Sequence, residues 1–366
     1  MSKIFFLLLI FSSEVLFAEI DFKTENTNIT IKEDAYTYNY DRLRFSLNWK
    51  EDGYFTTLIA DGVNYYGNKY IDSDLYHIRK LVQSNTPFKT QTDYLKYKSG
   101  EAYAKVYRAY GGYEDQNNRV IVGLQNISMG VGRIWQPTNI YNPINIYALE
   151  PDETFGVMGV LYTRYFDETS HLSGIVSIDR NDKPAYALRY QAFLEVADVA
   201  IDLISTDETK MAGYEIDGSI GSIGMGIRSE GAYFDNKNSN FFQGLVGLDY
   251  GFENGLTVVL EGLYTSKIFT AQDVLNNLHT DILQNMVNAH FFSALSATYP
   301  FNIYLEGSCV YIESFDGIKS RFYSPQLKYT LNDYNTFTLG TMIYDSNVVS
   351  SYENSERYFV KWNLAF

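Results

Sequence analysis

His171 and Ser173 are the pair in this chain whose types and spacing suggest covalent chemistry. Two apart on a strand they share a face, where an imidazole base beside a hydroxyl nucleophile could cut an ester. The other histidines, His77, His279 and His290, are scattered and lack metal-ligand spacing. No Gly-x-Ser-x-Gly elbow occurs. Gly221, Gly224 and Gly226 read as strand positions rather than as a loop that cradles phosphate. The single cysteine, Cys309, cannot form an intramolecular disulfide and reads as a small hydrophobe. No metal and no cofactor is expected.

The elements that carry these residues are strands. Of the 366 residues 46% are hydrophobic and 16% aromatic, with 33 Tyr and 24 Phe, yet mean hydropathy is only −0.21. Apolar residues are therefore interleaved one by one with polar ones, as in a strand with one oily face and one wet face. Leu43, Phe45, Leu47 and Trp49 oppose Arg42, Arg44, Ser46 and Asn48. Leu248, Tyr250 and Phe252 alternate with Gly247, Asp249 and Gly251. Phe301, Ile303 and Leu305 oppose Asn302, Tyr304 and Glu306, and Tyr323, Pro325, Leu327, Tyr329 and Leu331 oppose Ser324, Gln326, Lys328 and Thr330. Each run suits a tilted strand of roughly 9–11 residues crossing a bilayer. No segment after residue 18 is long and apolar enough for a spanning helix.

Short turns follow Trp49, Asp115, Phe166, Val196, Ile220, Glu253, Tyr299 and Leu331, and longer polar links occupy 67–100, 130–154, 235–240, 269–286 and 314–319. Short turns on the periplasmic side and long loops outside are the habit of closed membrane barrels. The reading is an all-β, transmembrane antiparallel β-barrel. Clear strands number about 17, and segment 27–32 brings the total to about 18, with 16 as second choice, since such barrels favour even numbers. Residues 1–18, with Lys3, an apolar run and Ala18, have the form of a signal peptide. Residues 19–366 then form one barrel domain. Segment 271–286 carries Val274, Leu278 and Ile282 at helical spacing and reads as a short helix in an outer loop.

The chain ends RYFVKWNLAF. Tyr358, Val360, Trp362, Leu364 and Phe366 share one parity, and this terminal strand resembles the C-terminal signal by which outer-membrane barrels are captured for assembly. The stretch 120–143, VIVGLQNISMGVGRIWQPTNIYNP, resembles a block of porin-like, mostly uncharacterised outer-membrane barrels of Gram-negative bacteria. The matching residues are Gly123, Gln125, Gly130, Gly132, Arg133, Trp135, Pro137, Thr138, Asn142 and Pro143. The resemblance implies the architecture and leaves the solute open. Gly130 and Gly132 permit unusual backbone, and Pro137 and Pro143 stiffen the chain beyond them. A loop so built can fold inward and leave Arg133 and Trp135 at a constriction; the alternative is a loop packed on the rim.

Polar parity assigns lumen charges. Arg42, Arg44, Lys328 and Lys361 come from first and last strands that closure brings together, and Asp202, Glu215, Asp217 and Asp249 come from mid-chain, on the opposite wall. Such walls would orient dipolar solutes, although Arg189, Arg228, Glu230 and Glu261 blur the division. The alternative is that lumen charges pair locally. Leu172, Val176 and Ile178 take the lipid parity, so His171 and Ser173 face the lumen just beyond a periplasmic turn. That departs from outer-membrane phospholipases, and no enzyme is expected. The net charge of −15 argues against nucleic acid or anionic lipid as an electrostatic partner.

The expected function is passive diffusion of small hydrophilic solutes through an outer-membrane channel. Export of a polysaccharide or other periplasmic cargo, and a non-conducting adhesion or assembly barrel, are the alternatives. Expected partners are outer-membrane lipid and lipopolysaccharide, the barrel-assembly machinery and periplasmic chaperones. A homo-oligomer stays open, because subunit contacts would use the same apolar face as lipid.

Overall fold

The structure, a computed structural model, describes residues 19–366 apart from 68, 82, 222, 238, 277–281, 283–284 and 347–354. The signal segment 1–18 lies outside the described residues. In chain order the first elements are β1 (Glu19–Glu33), β2 (Tyr36–Glu51), β3 (Tyr54–Tyr66), α1 (Asp74–Leu81), β4 (Gln91–Tyr97), β5 (Gly100–Glu114), β6 (Asn118–Gln125), β7 (Val157–Tyr165), β8 (His171–Ile178) and β9 (Pro184–Leu194). Then come β10 (Ala197–Ser205), β11 (Thr209–Ile220), β12 (Met225–Asn236), β13 (Ser239–Gly251), β14 (Thr257–Thr265), α2 (Ala271–Asn276), β15 (Phe291–Pro300), β16 (Leu305–Ser314), β17 (Ser320–Asn332), β18 (Asn335–Ser346) and β19 (Ser355–Ala365).

Every strand is antiparallel to its neighbours, and β1 pairs with both β2 and β19, which closes the cylinder. Eighteen strands make the wall, as the alternation predicts. Strand β4 stands outside that count: it pairs only with β5, from Gln91↔Lys105 to Tyr97↔Gly100, where β6 has already ended. Closure leaves no edge along the membrane-spanning wall, so the backbone groups there find partners without water. The segment read as 27–32 is part of a longer strand, the 15-residue β1.

Alternation sorts the side chains. Phe45 and Leu47 on β2, Leu188 and Tyr190 on β9, Val246 on β13 and Val360 on β19 are exposed outside, while Arg42, Arg44, Asp202, Glu215 and Phe359 are buried inside. This outer face is the surface of a membrane-spanning barrel. Among the described residues no helix is long and apolar enough to cross a membrane.

Two local readings change. Phe301 and Ile303 lie in the turn before β16, not in a strand, because Asn302 caps that turn through Tyr304 N and Leu305 N. Gly221 and Gly224 lie in the turn between β11 and β12, Gly224 at φ +66°, and of the three glycines only Gly226 is in a strand. Segment 271–286 begins with the six-residue helix α2.

Candidate functional site: a loop that bridges two charged walls

The long outer loops fold into the barrel. Loop 67–99 brings Tyr70 face to face with Tyr38 of β2, 3.6 Å between ring centres, and Tyr76 against Tyr65 of β3. Arg79 of α1 lies over Tyr38 and Tyr70 and donates to the Tyr38 hydroxyl. Loop 266–290 packs Phe269 edge-on against Phe241 of β13, and Asn285 donates to the Pro137 carbonyl oxygen.

Between them runs loop 126–156, anchored at both ends of its span. Its first anchor is backbone. Gly130 N donates to Glu215 at 2.7 Å; Val131 N and Gly132 N donate to Glu230 at 2.9 and 3.1 Å; Arg133 N, Ile134 N and Trp135 N donate to Glu261 at 2.6, 2.9 and 3.4 Å. Six successive amides thus meet three carboxylates on β11, β12 and β14. The path requires glycine: Gly130 has φ +90°, and a Cβ on Gly132 would collide with the Trp135 carbonyl oxygen.

The second anchor is ionic, on the other wall. Glu150 pairs with Arg42 of β2 at 3.1 Å and with Lys361 of β19 at 3.2 Å. Glu153 pairs with Arg42 at 2.9 Å and Arg44 at 2.8 Å, and Arg44 also pairs with Asp61 of β3 at 2.7 Å. Arg108 of β5 donates to the Thr154 carbonyl oxygen at 3.0 Å. Burial pushes the Glu153 carboxyl up, but the Arg44 hydrogen bond and the charges of Arg42 and Arg44 outweigh it and hold the group below its ordinary range. The loop therefore crosses the lumen from the acidic wall to the basic one.

The expected site residues fall into groups. Arg42, Arg44 and Lys361 are brought together, as barrel closure requires. Lys328 stands apart on β17, half exposed, 3.9 Å from Glu306. On the opposite wall Asp202 and Glu215 share Arg189 of β9. Asp249 pairs with Arg228 of β12, which also lies 3.5 Å from Glu261. Asp217 faces the lumen beside Arg228, its cross-strand partner. Trp135 packs on Phe292 of β15, ring centres 6.2 Å apart. The Arg133 side chain is exposed and makes no ion pair among the described residues.

Sequence reasoning missed Glu150, Glu153, Glu230 and Glu261 as organising residues. Glu230 and Glu261 sit at inward parity and were legible as lumen carboxylates; that backbone amides would meet them was not. Glu150 and Glu153 lie in an irregular segment with no periodicity to assign a direction.

A cavity of about 440 Å³ lies against the basic wall, lined by Tyr40, Tyr65, Tyr103, Lys105, Tyr147 and Phe155 among others. Lys105 lies over the rings of Tyr107 and Phe155. His171 and Ser173 both face inward. Ser173 Oγ shares a 2.9 Å hydrogen bond with Thr163 Oγ1, and His171 packs near Tyr165. No group of metal-ligating side chains occurs among the described residues.

No protein-family model matches this sequence, and no protein of curated function does. Solved structures match over nearly the whole chain. Acinetobacter baumannii OccAB1 aligns at TM-score 0.62 and 9% identity, covering 95% of this chain and 96% of that one. Pseudomonas aeruginosa OccD3 (OpdP) gives 0.61 and 9%, covering 95% and 91%. Pseudomonas aeruginosa OpdK, solved with vanillate, gives 0.62 and 10%, covering 95% and 98%; another structure of it is described as an outer membrane protein. The expected porin-like architecture is the one these comparisons return: the chain is similar in fold, across its length, to outer-membrane channels of this kind.

Proposed function

We propose that this protein is an outer-membrane channel through which small hydrophilic solutes diffuse passively. The observation that carries the reading is loop 126–156, which crosses the lumen between carboxylates on one wall and Arg42, Arg44 and Lys361 on the other. A barrel built only as a scaffold would not need a constriction bridged in this way. The fold shared with OccD3, OccAB1 and OpdK supports the reading, and the vanillate in an OpdK structure supports a small molecule as cargo.

The charges select by residue rather than by bulk sign. Arg42, Arg44 and Lys361 are satisfied by Glu150, Glu153 and Asp61. Lys105 and Arg108, on the same wall, have no carboxylate in ion-pair range among the described residues. Across the lumen six carboxylates, Asp202, Glu215, Asp217, Glu230, Asp249 and Glu261, face the two wall arginines Arg189 and Arg228. The walls thus retain unlike residual charge, which orients a dipolar solute as it passes the loop. Lipid and lipopolysaccharide cover the outer face, and the terminal strand, with Tyr358, Val360, Trp362, Leu364 and Phe366, is the segment offered to the assembly machinery and its chaperones.

Purified protein added to a planar lipid bilayer is expected to give stepwise ohmic conductance. Insertion without conductance contradicts the reading and favours an adhesion or assembly barrel.

A further inference from the structure

Glu230 is fully buried and has no cationic partner among the described residues. Its Oε1 accepts from Thr138 N at 2.7 Å and Thr138 Oγ1 at 2.8 Å, and its Oε2 accepts from Val131 N and Gly132 N. Three of these four partners can only donate; the Thr138 hydroxyl also lies 2.9 Å from Glu215 Oε1 and has one proton for the two carboxylates. Each carboxylate oxygen thus faces at least one backbone N–H, and an amide NH2 in place of either would point a donor at a donor.

Directly across the strand pair stands Glu215. Like charges in register destabilise a strand pair, and an unpaired buried carboxylate costs more still. Arg189 offsets the charge of Glu215. For Glu230 the offset comes from the loop backbone, through the charge-assisted hydrogen bonds that are the stronger kind. Wall and loop therefore need each other: the loop that covers Glu230 also supplies its hydrogen-bond partners, and without Glu230 the middle of the amide rail has no acceptor.

Resting on the channel reading above, we propose that Glu230, flanked by Glu215 and Glu261, is the positioning residue that holds the loop across the lumen and so sets the largest solute that passes. Glu230→Gln keeps the shape but turns a donor toward donors, whereas Glu230→Asp keeps the charge. Val131→Pro removes one amide from the loop side and leaves the wall untouched.

Two readouts apply to the full-length barrel purified in detergent: single-channel conductance, and the rate at which trypsin cuts after the exposed Arg133. For Glu230→Gln, conductance is expected to rise about twofold as the loop withdraws, and cleavage about tenfold, the effect of losing one buried charge-assisted hydrogen bond. Glu230→Asp should stay near wild type in both. Glu230→Gln matching wild type in both readouts overturns the proposal. If Glu230→Gln does not fold, Val131→Pro decides: faster cleavage supports the latch and unchanged cleavage rejects it. If wild type itself does not conduct, the channel reading falls, while the cleavage rates still report the latch.

Discussion

Arg42 holds Glu150 at two points, Nη1 to Oε2 and Nη2 to Oε1, each at 3.1 Å. One partner lies on a wall strand near the start of the chain and the other on the loop that crosses the pore, 108 residues later. This fork-to-fork pairing is the strong form of the arginine–carboxylate contact. It means that the row of cations which sequence parity places on this wall is largely neutralised from within the lumen.

Ion selectivity should therefore move when the mask is removed. Glu150→Gln with Glu153→Gln frees Arg42 and Lys361, and the anion-to-cation permeability ratio, read from the reversal potential across a salt gradient, is expected to rise about threefold. Asp217→Asn with Asp249→Asn on the other wall should move the ratio the same way by removing negative charge. A reversal potential unmoved by both pairs would mean that the lumen charges only stabilise the wall.

Phe366 seals the seam of the barrel, its N–H donating to the Thr24 carbonyl oxygen at 2.9 Å while its own carbonyl oxygen accepts from Thr24 N at 3.2 Å. Deleting it removes the last link of the β1–β19 closure and the terminal aromatic of the proposed assembly signal. The yield of folded, heat-modifiable barrel in outer-membrane fractions should fall several-fold. Unchanged yield would show that neither the seam nor the signal needs this residue.

The short turn 166–170 is organised by Asp167, which accepts from the Ser170 hydroxyl at 2.6 Å, the Thr169 amide and hydroxyl, and the Ser170 amide. These bonds, that of the Ser170 hydroxyl foremost, hold its carboxyl at about 2, below the ordinary value of about 3.9. Because the folded value is the lower one, the turn's extra stability is present above the ordinary value and is lost as pH falls through about 2. Amide exchange at Thr169 and Ser170 should be several-fold faster in Asp167→Asn near neutral pH, with the difference vanishing in strong acid. Equal exchange at neutral pH would discount the carboxylate.

The wall was legible in the sequence because a membrane strand has no freedom about which parity faces lipid. Residues 43–49 and 358–366 therefore announce their two faces in single alternation. The inward loop was signalled by Gly130, Gly132 and Pro137. The hidden features have no periodicity. Glu150 and Glu153 meet Arg42, Arg44 and Lys361 only because the loop crosses the barrel. The six amides that meet Glu215, Glu230 and Glu261 belong to backbone, which carries no residue signature. The extra strand β4 was hidden in the same way, since its pairing depends on where β6 stops.

Swelling of liposomes that hold the purified barrel, in sugars of graded size, tests the central claim most directly, because it reports at once whether a pore exists and how narrow it is. Rapid swelling in the smallest sugars with a sharp fall as size increases is the result expected of a lumen bridged by loop 126–156. Swelling rates no greater than those of protein-free liposomes, in every sugar, would contradict it.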